Sequence, residues 1–251
     1  MKKRIAFILP VILLIYIGCI SRNKVFREKQ TIITQCIIPD SLYPSPALVI
    51  PYHSDWTKKH YPEKIQEFKK QPLQFGDIVF LGNSITEFGG DWGKRLNSPI
   101  IKNRGISGDV TAGVLQRLGE VYYVKPKAVF LLIGINDLFN PKLSSDSTAA
   151  NIIKIVTIIH KKSPHTKIYV QTILPTSTQT MVDKIKKTND ILASNARPRL
   201  YTLINIHVLL ADDQDLIKKE YTRDGVHLTE AAYVVWVDYL RKYFNKYVTS
   251  Q

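Results

Sequence analysis

Five short apolar, β-branched runs constrain this chain more than any other feature: Ile78 to Leu81, Pro99 to Lys102, Ala128 to Ile133, Lys167 to Ile173, and Leu200 to Ile206. Runs of this kind suit strands buried on both faces. The segments between them read as helices, notably Thr111 to Leu118, Ser147 to Lys162 and Val182 to Ala196. Trp56 to Lys70 supplies an amphipathic helix ahead of the first run, and Thr229 to Tyr247 another after the last. Strands alternating with helices imply an α/β chain with a parallel sheet covered on both faces. Loops leaving the carboxyl ends of such strands build the functional site.

The 251 residues suit one compact domain with an N-terminal appendage. Lys2, Lys3 and Arg4 precede an apolar run from Ile5 to Ile17, then Gly18 and Cys19. The run is shorter than the roughly 20 residues a spanning helix needs and reads as an export signal over 1–18. Ile17-Gly18-Cys19 is similar to a bacterial lipobox, although Tyr16 stands where Leu is usual. This setting makes Cys19 the expected lipidated residue, tethering an exported protein to the cell envelope. An uncleaved anchor or simple secretion are the alternatives. Residues 19–54, with Pro39, Pro44, Pro46 and Pro51, read as a tether or irregular leader, and the domain is expected over 55–251.

Cys36 is the one cysteine besides Cys19, which excludes a disulfide framework and a cysteine-based metal site. The net charge of +14 favours anionic surfaces or substrates, or simply describes a solvated lysine-rich surface. Lysines scattered in pairs such as Lys58-Lys59 and Lys161-Lys162, with no basic helix, argue against nucleic-acid binding.

Four strand-end loops carry the candidate chemistry. Gly82-Asn83-Ser84 follows the first run and places a hydroxyl at a helix start, where free N–H groups favour an oxyanion. Taken alone, Asn83 or Ser84 reads equally as a helix cap. Asn103 to Asp109 follows the second run and holds Gly105 and Gly108, which allow close backbone approach or an ordinary tight turn. Gly134-Ile135-Asn136-Asp137 offers the Asn136 amide as a donor, or common turn chemistry. Finally, Asp224 and His227 are three apart ahead of the last helix, a spacing at which a buried carboxylate can orient an imidazole toward a serine. Phe88, Trp92 and Phe139 follow two of these loops and read first as core packing, second as pocket lining.

With these four blocks in this order, the chain resembles the SGNH hydrolase superfamily, the GDSL-type esterases and lipases, over roughly residues 75–245. It most resembles bacterial platelet-activating-factor-acetylhydrolase-like members. The resemblance implies a three-layer αβα sandwich built on a flavodoxin-like, doubly wound sheet of five parallel strands. It implies Ser84 as nucleophile, Asp224 and His227 as its partners, and Ser84, Gly108 and Asn136 as oxyanion donors. Asn83 stands where the family has Asp. The implied activity is metal- and cofactor-independent hydrolysis of a small-molecule ester, an acylated glycan or lipid, with short acyl groups favoured because no long apolar insertion suggests a lid. A lysophospholipase-type esterase, an O-acyltransferase with the same triad and a non-catalytic glycan-binding module are the alternatives.

Overall fold

The structure is a computed structural model that describes residues 36–248. The apolar runs form five parallel strands, β1 Ile78–Gly82, β2 Ile101–Gly105, β3 Ala128–Leu132, β4 Lys167–Gln171 and β5 Thr202–Ile204. Their order, β2-β1-β3-β4-β5, is the flavodoxin-like one expected. Every residue of β1 and β3 is buried, which is why these runs show no polar alternation. The edge strand β2 extends through Asn103, Arg104 and Gly105, residues that read from the sequence as loop. Both polar side chains are satisfied there. The Asn103 amide donates to the carbonyls of Thr86, Glu87 and Gly90, and Arg104 pairs with Glu120.

Ten helices surround the sheet in the described residues: α1 Asp55–Lys70, α2 Ser84–Glu87, α3 Trp92–Arg95, α4 Thr111–Gln116, α5 Leu118–Tyr123, α6 Ile135–Phe139, α7 Ser145–Lys162, α8 Val182–Asn195, α9 His207–Leu210 and α10 Glu230–Val248. The long ones follow the periodic segments. The single-turn helices α3, α6 and α9 are too short to show a period and went unread, whereas α2 is the helix expected to open at Ser84. Phe80, Phe130 and Tyr169 stand in register on β1, β3 and β4, with ring centroids 5.1 and 4.5 Å apart. Trp92 of α3 and Phe244 of α10 stack on them at 4.1 and 4.6 Å and close that face. Helices α4, α5, α7 and α8 pack on one another and cover the opposite face, where Val79, Leu81, Val129 and Leu131 are buried.

The folded unit starts at Cys36, well ahead of the expected boundary at Asp55. Residues 36–54, read as a tether or leader, lie against the domain. The Cys36 N–H donates to Gln74 at 2.7 Å, the Tyr43 hydroxyl to Glu120 at 3.2 Å, and Gly119 leaves room for the Leu42 carbonyl. A second apolar cluster joins Ile50 to Tyr61, Ile65 and Phe68 of α1 and to Ile106 and Val110 of the loop after β2. Proline spacing concealed this, because each contact reaches a residue distant in sequence. The export signal expected at 1–18 and the lipidation expected at Cys19 fall outside the described residues. Within those residues no helix is long and apolar enough to cross a membrane.

Two buried ion pairs anchor the carboxyl ends of β1 and β2. Arg104 meets Glu120 at 3.0 Å through two nitrogens and donates to the Gln71 carbonyl. Arg117 bonds Asp109 at 3.0 Å through Nε, and its terminal nitrogens donate to the carbonyls of Arg104 and Gly82 at 2.7 and 2.8 Å. Removing one member of such a pair strands a charge in a dry site. Arg117→Leu is therefore expected to cost about 3–5 kcal/mol of stability, read from the urea unfolding midpoint.

Candidate active site

The nucleophile candidate sits where β1 turns into α2. A side chain at Gly82 would collide with Thr86 and the Leu132 carbonyl, so the turn needs glycine. Asn83 then caps α2 by accepting from the Ile85 N–H at 3.1 Å, and Ser84 opens the helix. The Tyr233 hydroxyl of α10 donates to the Ile85 carbonyl at 2.7 Å and holds this turn in place. Ser84 is 5% exposed.

His227 and Asp224 come from a tight loop between the turn at Lys219–Tyr221 and α10. Thr222 and Leu228 bridge across it, the Arg223 N–H donates to the His227 carbonyl, and Gly225, at φ +91°, lies against Ser177 where a side chain would clash. Asp224 Oδ2 lies 2.6 Å from His227 Nδ1, and His227 Nε2 lies 3.0 Å from Ser84 Oγ. A carboxylate only accepts, so Nδ1 carries the proton and neutral Nε2 can accept from the serine hydroxyl. Asp224 Oδ1 accepts from the N–H groups of His227 and Val226 at 2.8 and 3.0 Å.

The expected buried carboxylate is a correction: the Asp224 side chain is 54% exposed. What burial it has works against its charge, but the His227 imidazole and the two backbone N–H groups outweigh that and hold its carboxyl at about 2. Hydrogen-bond donors on a surface loop, rather than a dry pocket, keep it ionised.

The other two loops meet beside this array. Gly108, at φ +76°, is pressed against Thr57 of α1, and only glycine tolerates both the backbone and the contact. The Asn136 amide donates to the Asp109 carbonyl at 2.9 Å, so the third block is tied to the second. Among the described residues, the N–H groups of Ser84 and Gly108 have no protein acceptor. The Asn136 amide also has a second hydrogen to give.

Sequence reasoning missed the residues that hold these loops. Glu87, three residues after Ser84, accepts from the N–H and hydroxyl of Ser107 at 2.5 and 2.7 Å and from His60 of α1 at 3.2 Å. Burial opposes its ionisation, yet these donors with Lys64 hold its carboxyl below the usual range. Asp109 is fully buried between Arg117 and His53. The one available signal was a lone Arg117 within an apolar helical stretch. Trp92 is core, as expected first, whereas Phe88 and Phe139 are 46% and 42% exposed, and the Phe88 ring centroid is 5.2 Å from that of His227. No group of three or more His, Cys, Asp or Glu side chains among the described residues is placed to hold a metal ion.

Residues 80–235 match the profile of the GDSL-like lipase/acylhydrolase family. The chain is 26% identical to a Streptococcus pneumoniae protein described provisionally as a platelet activating factor, with a TM-score of 0.65 over 75% of this chain and 94% of that one. A mutant acetyl-xylooligosaccharide esterase from Geobacillus shares the fold at 18% identity and a TM-score of 0.56, covering 69% of this chain and 96% of that one. A curated relative, N-acylneuraminate cytidylyltransferase of Escherichia coli O18:K1:H7, is 25% identical over 177 residues, 68% of this chain, and the chain spans 41% of its length.

Asp137, beside Asn136, is buried and accepts from the Thr111 N–H and hydroxyl, joining α6 to α4. Burial, reinforced by Asp109, outweighs these donors and pushes its carboxyl from 3.8 to about 6. A folded-state value above the unfolded one gives stability that is full below the unfolded value and lost as pH rises through the folded one. The melting temperature of Asp137→Asn relative to wild type is therefore expected to rise steadily between about pH 4 and pH 7. A gap that does not change with pH would contradict this origin.

Proposed function

The chain belongs to the GDSL-like lipase/acylhydrolase family, and we propose that it is a serine esterase that removes short acyl groups, acetyl above all, from carbohydrate esters. The observation that carries the reading is the continuous path from Ser84 Oγ to His227 Nε2 at 3.0 Å and from His227 Nδ1 to Asp224 at 2.6 Å.

In this mechanism His227 Nε2 takes the Ser84 hydroxyl proton while Oγ attacks the ester carbonyl carbon. The carbonyl oxygen becomes an oxyanion and accepts from the N–H groups of Ser84 and Gly108 and from the Asn136 amide. Collapse breaks the bond to the alcohol oxygen, which leaves with the proton held on Nε2. A water, deprotonated by the same nitrogen, then attacks the acyl-serine and releases the acid. Asp224 stays ionised throughout and balances the imidazolium that forms at each step.

The choice of a sugar acetate is supported by the fold's use in an acetyl-xylooligosaccharide esterase. The same proposal places the protein outside the cell membrane, anchored through Cys19, on the strength of Lys2-Lys3-Arg4, the apolar run and Ile17-Gly18-Cys19. Metabolic labelling with palmitate in a bacterial host should tag the wild type and not Cys19→Ser.

Hydrolysis of p-nitrophenyl acetate by the signal-free protein is expected to vanish in Ser84→Ala. In Asn136→Ala, kcat should fall about 10²–10³-fold, or roughly 3–4 kcal/mol of lost oxyanion stabilisation. Activity that survives Ser84→Ala would exclude the acyl-serine route. Transfer of acetyl to added sugar in preference to water would convert the reading to an acyltransferase.

A further inference from the structure

Trp56 is 58% exposed, whereas Trp92 and Trp236 are 0% and 1% exposed. Trp56 is therefore the one tryptophan of the three whose ring is open to a ligand. Trp56 also has an aromatic neighbour. One face stacks on His60 at 4.5 Å and 25°, and His60 lies 3.2 Å from both oxygens of Glu87, the carboxylate that grips Ser107 beside Gly108. The next residue, Thr57, touches Gly108 itself. Trp56 is thus linked through His60 and Glu87 to the loop assigned to the oxyanion, and it sits in a helix that lies ahead of the family-matched residues 80–235.

Phe88 follows Glu87 directly, and its ring lies against His227. Two exposed aromatic rings are therefore linked to the Ser84 turn, Trp56 through His60 and Glu87 and Phe88 through its contact with His227. The groups that link Trp56 to this turn are charged rather than apolar: Glu87 lies 3.2 Å from His60 and 3.6 Å from Lys64. An extended acyl chain needs a continuous apolar groove and would leave this cluster desolvated and unused. A pyranose ring presents flat C–H faces for aromatic rings and hydroxyls at its edge for charged donors and acceptors.

We propose that Trp56 and Phe88 form a sugar platform that binds the carbohydrate portion of the ester and so determines specificity, with the Glu87, His60 and Lys64 cluster facing the ring hydroxyls. The inference rests on the esterase reading above and adds a binding subsite supplied by α1.

Iodide quenching of tryptophan fluorescence reads Trp56 alone, given the burial of the other two. In the Ser84→Ala protein, xylotetraose is expected to lower the quenching constant about two-fold, and Trp56→Ala should remove the quenchable signal. In the active enzyme, Trp56→Ala is expected to lower the ratio of kcat/KM on acetylated xylotetraose to that on p-nitrophenyl acetate by about ten-fold, with Trp56→Phe recovering most of it. The ratio cancels any disturbance passed through His60 and Glu87 to the oxyanion loop, since both esters use that loop. An unchanged ratio, together with no protection by xylotetraose, would overturn the platform while leaving ester hydrolysis intact. A wild type inert toward both esters would instead overturn the esterase reading on which the platform rests.

Discussion

The buried guanidinium of Arg117 is the interaction on which the rest of the site depends. It binds the Gly82 carbonyl at the end of β1, the Arg104 carbonyl within β2 and the Asp109 carboxylate in the loop beyond β2. At this crossing of β1 and β2 one side chain bonds three acceptors that the strand ends and the loop beyond them present. Asp109 in turn bonds His53, and its carbonyl receives the Asn136 amide, so the third loop is fastened to the same centre. A charge-assisted network of this kind is strong when every member is paired and costly when one is lost.

The two halves of the triad are held by different physics. Ser84 and the loop of Gly108 are fixed from within by glycine contacts, an asparagine cap and buried ions. The Asp224 and His227 loop lies nearer the surface and is shaped by its own backbone hydrogen bonds. In the proposed mechanism this division suits acyl transfer, because oxyanion donors lose value if they must reorganise, whereas the imidazole takes and returns a proton twice. The cluster of Glu87, His60 and Lys64 connects the Ser84 turn and the loop of Gly108 to α1, a helix from outside the family-matched residues.

Much of this was legible beforehand. The apolar runs located all five strands, since burial on both faces demands local stretches of β-branched residues, and of the residues in the polar blocks the structure brings Ser84, His227 and Asp224 within hydrogen-bonding distance. Errors arose where polar residues are buried or apolar ones exposed. Asn103 and Arg104 read as loop because their partners, three carbonyls and Glu120, come from other segments. Residues 36–54 read as a tether because prolines and weak periodicity hide contacts to Gln74 and Glu120. Phe88 read as core because composition cannot say which aromatic ring remains in water.

By itself, the sequence determined the order of elements, the α/β class and which residues lie at strand ends, because hydrophobic period and turn chemistry are properties of neighbouring residues. Only the tertiary structure decided that Ser84 and His227, 143 residues apart, lie 3.0 Å from each other. It also decided that Arg117 reaches Asp109 in the loop after β2, and that Trp56 faces solvent. Those outcomes depend on which side chains burial leaves without water, a condition set by packing between segments that are remote in the chain.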